Sequence, residues 1–203
     1  MEVLRYKYRG YTIEIWNDPY PENPRNWNNL GHMIIFHSRY QLGDQHNMTP
    51  EELLTIVRRK DVVALPLYLM DHSGLTICTV PDRFAAADPL GWDWGLVGYI
   101  YVTYEEIRKE FGVKRVTPKL RRRVEEILEA EVRVYDHYLQ GLCFGFTVYD
   151  PAENLIDSCG GYYGWSEEAL SAAVEVVNAE LARTPQLIPL DPPEPVELEE
   201  VTA

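Results

Sequence analysis

Two segments at the start of the chain, Val3 to Tyr8 and Tyr11 to Trp16, alternate between apolar and polar residues. Alternation with a period of two is typical of a β-strand with one buried face. Only Arg9-Gly10 separates the two segments, and a two-residue connection that contains glycine predicts an antiparallel hairpin. The chain must therefore build at least one sheet, and antiparallel pairing is expected from its first residues.

Helix-start signals are interleaved with further strand-like segments. Thr49-Pro50-Glu51-Glu52 places a capping hydroxyl, a proline and two acids in the order that a helix N-terminus prefers. The predicted helices are 49–60, 103–111, 117–140 and 166–181. The predicted strands after the hairpin are 33–36, 62–70, 75–80, 98–102, 143–149 and 154–156. Segments 81–97 and 159–164 are expected to be loops. This order predicts one α+β domain over residues 1–183, with a mainly antiparallel sheet and three to four helices.

The length and composition fit this fold. The chain has 203 residues, of which 46% are hydrophobic. A chain of this length and composition can bury one sizeable core. Residues 184–203 are rich in proline and glutamate, and they predict an acidic, disordered tail. Three cysteines and a polar N-terminus favour free thiols in the cytoplasm. No run of eighteen apolar residues is present, so no membrane partner is expected.

The net charge of −13 narrows the classes of partner. Residues 61–104 and 134–190 together carry eleven net negative charges. Direct binding to nucleic acid or to anionic lipid is therefore disfavoured. The arginines at 121–123 are offset by glutamates at 125, 126 and 129. The acidity suits either an ordinary solvated surface or the mimicry of a polyanion towards a basic partner.

Three predicted loops concentrate residues that a core does not need: Asp71-His72-Ser73-Gly74, 91–95 and 157–164. Cys159 as nucleophile, His72 as base, and Asp71 or Asp93 as orienting acid would suit a Cys-His-Asp hydrolase. The same residues also make good turns, because Asp and Ser side chains satisfy backbone donors. The candidate catalytic residues are His72, Asp93 and Cys159. The candidate partner-binding residues are Asp71, Trp92, Trp94, Asp157, Tyr162 and Tyr163.

No cofactor and no metal site are predicted. Neither HExxH nor a CxxC pair is present, although Asp44 and His46 share a loop and could reach one ion. Phosphate-binding glycine motifs and the GxSxG nucleophile motif are also missing.

An ordered series of short motifs resembles a family of uncharacterised proteins encoded by bacteriophages and integrated mobile elements. The series covers roughly residues 10–165 and consists of Asn29-Leu30-Gly31 with Met33, Leu42-Gly43-Asp44, Leu65-Pro66-Leu67-Tyr68 with Asp71-His72-Ser73-Gly74, Gly91-Trp92-Asp93 with Val97-Gly98, and Asp157-Ser158-Cys159 with Tyr163-Gly164. In that family the Trp-Asp loop continues with a small hydroxyl residue, Gly and Gln, whereas Trp94 and Leu96 replace the polar members here. An aromatic residue tends to follow the cysteine, where this chain has Gly160. The resemblance implies no established activity, but it implies expression inside an infected bacterium.

Two functions follow as hypotheses. The first is an acidic phage or mobile-element accessory protein that binds a host protein with a basic surface, such as a defence nuclease. The alternative is a small hydrolase or transferase that uses Cys159 with His72 and Asp93. The sequence leaves the oligomeric state open.

Overall fold

The computed structural model describes residues 3–183, so the predicted tail lies outside the described residues. This part of the chain divides into two compact units. The terminal unit joins residues 3–22 to residues 141–183, and the central unit is the continuous segment 23–140. Across residues 3–183, every helix is either too short or too polar for a membrane crossing.

The terminal unit is an antiparallel sheet with one helix on it. Its elements are β1 (Val3–Tyr8), β2 (Tyr11–Asn17), β7 (Cys143–Tyr149), β8 (Leu155–Tyr163) and α5 (Ser166–Arg183). The strands lie in the order β1-β2-β7-β8. Arg9 and Gly10 both adopt positive φ angles, 51° and 83°, as the predicted two-residue hairpin turn requires.

Alternate residues of the two inner strands form the core of the terminal unit. Ile13 lies opposite Val148, and Ile15 lies opposite Phe146, so all four side chains share one face of the sheet. Small residues of α5 at a spacing of four, Ala169, Ala173 and Val177, cover this face.

The central unit holds a second antiparallel sheet, whose strands are β3 (His32–Ile35), β4 (Val62–Asp71), β5 (Leu75–Cys78) and β6 (Trp94–Thr103). They lie in the order β3-β6-β4-β5. Its helices are α1 (Pro50–Val57), α2 (Asp82–Ala87), α3 (Tyr104–Phe111) and α4 (Pro118–Leu139). Pro66 lies in the part of β4 that β5 does not reach, and the β4–β6 register shifts just after it, between Leu67 and Tyr68. The strand therefore tolerates the proline, as the predicted edge or bulge position requires.

Local signals fix the helices of the central unit. Thr49 with Glu52 and Thr103 with Glu106 form reciprocal capping boxes at the starts of α1 and α3. Gly112 ends α3 in the left-handed conformation, with φ 63°. The apolar stripe of α4 packs on the sheet through buried side chains that include Val124, Leu128, Val132 and Tyr135.

A buried ion network fastens the start of the central unit to α4. The Arg25 guanidinium, whose side chain is 3% exposed, binds Asp44 with Nε 2.7 Å from Oδ1 and Nη2 3.0 Å from Oδ2. Its Nη1 lies 3.0 Å from Oε2 of Glu131, and its Nη2 donates to the Gly31 carbonyl at 2.6 Å. Asp44 and Glu131 also accept the backbone N–H groups of Met33 and of Leu30 and Gly31. Three sequence-distant segments thus converge on one arginine.

The predicted α+β class with antiparallel strands is confirmed. The described residues contain five α-helices rather than three to four, because α2 forms within the segment predicted as loop 81–97. The predicted end of this loop at residue 97 is also wrong, since β6 begins at Trp94. The predicted glycine-rich loop at Cys159 belongs to β8, because its pairing with β7 continues to Tyr163.

Candidate functional site

The loop between α2 and β6 is held by one carboxylate. Oδ2 of Asp88 accepts the backbone N–H groups of Trp92 at 2.5 Å and Asp93 at 2.9 Å, and Oδ1 accepts that of Leu90 at 3.2 Å. These hydrogen bonds hold the pKa of the Asp88 carboxyl below its ordinary value, and the one from the Asp93 backbone N–H has the largest effect. The loop is therefore fixed by its own hydrogen bonds, although it lies at the surface.

The two tryptophans of this loop have opposite environments. The indole Nε1 of Trp94 donates to the Asp88 carbonyl at 2.9 Å, and its ring lies 6.1 Å from that of Tyr68 and 6.3 Å from that of Phe84. Trp94 is thus half-buried and anchors the loop. Trp92 is 82% exposed and Leu90 is 77% exposed, so these two apolar side chains project into solvent.

His72 and Asp93, predicted to act together, are hydrogen-bonded. Nδ1 of His72 lies 2.8 Å from Oδ2 of Asp93, and the backbone N–H of Asp71 donates to the Asp93 carbonyl at 2.8 Å. Because a carboxylate can only accept, Nδ1 carries the proton in this contact. In the neutral imidazole, Nε2 is then left as an acceptor for an incoming group. The His72 and Asp93 side chains are 70% and 45% exposed, so the pair is open to solvent.

Asp71 is already paired with a cation. The Arg39 guanidinium contacts its carboxylate and also lies 5.5 Å from the centroid of the Tyr40 ring. The charge of Asp71 is therefore compensated locally, unlike that of Asp88, whose partners are backbone N–H groups.

Cys159, Asp157, Tyr162 and Tyr163 lie on β8 in the terminal unit. The Cys159 side chain is exposed, and the Asp157 carboxylate accepts the N–H of the next residue at 2.8 Å. The ring of Tyr162 packs 5.8 Å from that of Phe146, and the Tyr163 hydroxyl donates to a backbone carbonyl. Both tyrosines thus have structural contacts. His72 and Asp93 belong to the central unit, so their convergence with Cys159 stays a prediction.

The thiols differ in their environments. All three cysteines are free, and burial raises the pKa of both Cys78 and Cys143. Between residues 3 and 183, no group of three or more His, Cys, Asp or Glu side chains is arranged to hold a metal ion. The Asp44 carboxylate, considered with His46 as a possible ion site, instead binds Arg25.

The charge is unevenly divided. The described part of the terminal unit contains four basic and ten acidic residues, whereas the central unit contains fifteen and sixteen. The negative field of the described residues thus originates mainly from the terminal unit.

Sequence reasoning missed Asp88 and Leu90. Asp88-Pro89 with Gly91 shortly after it is a turn signal, since an aspartate side chain can accept N–H groups a few residues further on. That signal predicts an ordered loop, but it does not say which of the neighbouring apolar side chains points outward.

Comparison with known proteins gives no relative: no family model, no curated protein and no solved structure matches this chain.

Proposed function

We propose that the protein binds a host macromolecule with a basic surface, through the loop that carries Leu90 and Trp92. In this proposal it is an accessory protein of a bacteriophage or mobile element, and it works in the cytoplasm of the bacterial host. The observation that carries the proposal is that Trp92 is 82% exposed on a loop that Asp88 holds in place.

An exposed tryptophan on an ordered loop is well suited to binding. A tryptophan side chain buries about 150–250 Å² at an interface, and tryptophans are enriched among the few interface residues whose truncation to alanine costs about 2 kcal/mol or more. Ordering a flexible loop would offset part of this gain. Here the Asp88 hydrogen bonds already fix the backbone, so Trp92 and Leu90 can be buried at a lower entropic cost.

Charge supports a basic partner. Asp88 and Asp93 flank Trp92 and place two carboxylates beside the apolar contact. The net charge of −13 favours fast encounter with a positively charged partner, and most of the negative charge of the described residues belongs to the terminal unit. Mimicry of the phosphates in a nuclease groove is one way in which such a surface could inhibit a defence enzyme.

The test compares Trp92→Ala with Trp165→Ala, a tryptophan of the terminal unit that is 64% exposed. Tagged proteins are used to recover partners from the bacterial host, and the association kinetics of each purified partner are measured over a salt series. We expect Trp92→Ala to weaken binding at least tenfold, and Trp165→Ala to leave it unchanged. Rising salt should slow the association of the wild type.

Two results would reject the proposal. Equal capture by the wild type and Trp92→Ala would remove the loop from the interface. An association rate that does not depend on salt would remove the basic partner, even if an apolar contact remained.

A second candidate function is a hydrolase or transferase, and the 2.8 Å bond between His72 and Asp93 favours it. The aspartate orients the imidazole and leaves Nε2 free to accept a proton, as a base in nucleophilic catalysis requires. Cys159 is the proposed nucleophile. The discriminating experiment is a panel of ester and amide substrates with Cys159→Ser, His72→Gln and Asp93→Asn, and Cys78→Ser as the control. Turnover that is lost in the first three variants and kept in the control would establish the enzyme.

A further inference from the structure

A cleft of about 520 Å³ opens in the central unit between α3, α4 and the loop before β3. Three carboxylates, two other titratable groups and three apolar side chains contribute to its lining: Glu106, Glu110, Glu131, His32, Lys109, Leu30, Phe111 and Ile127. Its volume is within the usual range of small-molecule sites.

This cleft is separate from the Trp92 loop. His32 pairs with Tyr101 near the end of β6, whereas the loop leads into Trp94 at its start. Seven residues of extended chain, at about 3.3 Å each, place the two features about 23 Å apart along the strand. The proposed partner contact therefore does not account for the cleft.

Two walls of the cleft are fixed by hydrogen bonds. Oε2 of Glu106 accepts from the backbone N–H of Thr103 at 2.8 Å and from its hydroxyl at 2.7 Å, while Oε1 lies 2.7 Å from Nε2 of His32. Glu131 is held by Arg25 and by the backbone N–H of Leu30. The carboxylates are thus positioned before any ligand arrives, which lowers the cost of binding.

The charge of the cleft is only partly compensated. Burial acts to raise the pKa of Glu106, but the bonds from Thr103 and His32 outweigh it and hold the pKa below its usual value. Glu106 is therefore ionised at neutral pH. The Glu110 side chain makes no hydrogen bond or ion pair with any residue in the range 3–183. Lys109 supplies a nearby positive charge, and Glu131 shares the Arg25 guanidinium with Asp44.

We propose that this cleft binds an organic cation, a guanidinium or primary ammonium group on a short aliphatic stem. The charged head lies against Glu106 and Glu110, and the stem covers the apolar side chains of Leu30, Phe111 and Ile127. A metal ion fits less well, because no described group of three or more potential ligands is arranged to hold one. The cation is either a free small molecule or an arginine or lysine side chain of a macromolecule.

The experiment uses n-butylguanidinium as the probe and n-butylurea as a neutral analogue of nearly the same shape. Both are titrated into isotope-labelled full-length protein, and backbone amide shifts are followed by NMR. We expect the cation to bind with a dissociation constant on the order of 1 mM, with shifts concentrated in residues 28–32 and 106–111. The urea should produce no saturable shifts there.

Variants test the carboxylates. Glu110→Gln should weaken the binding of n-butylguanidinium about threefold to fivefold, as expected for one exposed charge pair. Glu129→Gln, an exposed change on α4 outside the cleft, is matched in charge and should leave the affinity unchanged. Trp92→Ala should also have no effect, so the cleft and the proposed partner contact can fail independently.

A third arm separates the two sources of the cation. N-acetyl-arginine-methylamide carries the same head and stem on a blocked backbone. If it binds as tightly as n-butylguanidinium, the cleft accepts a side chain of a macromolecule, and if it binds much more weakly, the cleft takes a free small molecule. Equal binding of the urea and the guanidinium, or no saturable shifts at the cleft, would overturn the proposal.

Discussion

Replacing Arg25 with methionine should unfold the central unit at a markedly lower temperature. The guanidinium bridges Asp44 and Glu131, and its side chain is 3% exposed. Methionine keeps much of the aliphatic volume but removes all the donors. Two carboxylates, 25% and 12% exposed, then lose their cation, and the Gly31 carbonyl loses a donor.

The expected cost is about 3 kcal/mol, the lower end of the 3–5 kcal/mol typical of breaking a buried ion pair. The lower end applies because both carboxylates keep other bonds: Asp44 still accepts the N–H of Met33, and Glu131 still accepts those of Leu30 and Gly31. For a chain of this size, each kcal/mol lowers the melting temperature by about 2–4 °C. The predicted decrease is therefore about 6–12 °C.

The raised pKa of Arg25 also sets how its contribution to stability depends on pH. Burial acts to lower the pKa of Arg25, but Asp44 and Glu131 outweigh it, so the pKa is raised. A cation whose pKa is raised by folding stabilises the fold fully at any pH below its unfolded pKa, and this stabilisation is lost only as the pH rises through the folded value. The contribution of Arg25 should thus be constant between about pH 6 and pH 9.

The assay is thermal unfolding followed by circular dichroism, with Arg59→Met as the matched control. Arg59 pairs with Asp61 at the surface, with side chains that are 50% and 55% exposed. Such an exposed pair contributes little to stability, so the control should melt within about 2 °C of the wild type. Equal melting temperatures for the two variants would refute the reasoning, since burial would then have no effect on the strength of the network.

Three further predictions follow. Leu128→Ala, at a fully buried position, should lower the free energy of unfolding measured in urea by about 2–5 kcal/mol. Arg122→Ala, on the exposed face of α4, should change it by no more than about 0.5 kcal/mol. A larger loss for Arg122→Ala than for Leu128→Ala would contradict the packing of α4. Cys159 should react with a thiol electrophile before Cys143 does, because Cys159 is exposed and Cys143 is buried. The labelling of the native protein is followed by mass spectrometry, and equal labelling rates for the two thiols would contradict the burial of Cys143. Gly145→Ala should destabilise the terminal unit by about 1–3 kcal/mol, since the Cβ of the new alanine would lie 2.3 Å from the indole ring of Trp16. An unchanged melting temperature together with unchanged tryptophan emission would disprove that contact.

The elements that were predictable are those encoded by adjacent residues. Gly10 adopts the positive φ of the hairpin turn without strain, and the capping residues Thr49 and Thr103 lie three positions from the glutamates that complete each box. These signals depend on a few neighbouring residues, so they can be recognised without knowing the rest of the fold.

The misread segments depend on distant partners. Cys159-Gly160-Gly161 resembles a loop because glycine has a low strand propensity, yet β7 pairs with Cys159 and again with Tyr162. The two glycines between these pairs form a β-bulge, in which Gly161 has a φ of 82°. The indole of Trp16 lies against Gly145, where a Cβ would clash with it. A glycine with this purpose looks the same in sequence as a glycine in a turn. The division into units was equally hidden, because the terminal unit joins both ends of the described chain.

The candidate site was predictable in its chemistry but not in its orientation. His72 and Asp93 were paired in the prediction because both lie in turns beside strands, and β4 and β6 are in fact neighbours whose register places Met70 opposite Trp94. Trp92 and Trp94 look equivalent in the sequence, since each adjoins Asp93. Asp88 distinguishes them, because its carboxylate holds the Trp92 backbone while its carbonyl accepts the indole N–H of Trp94. The hydrogen bonds that turn Trp94 inward therefore also leave the Trp92 side chain exposed.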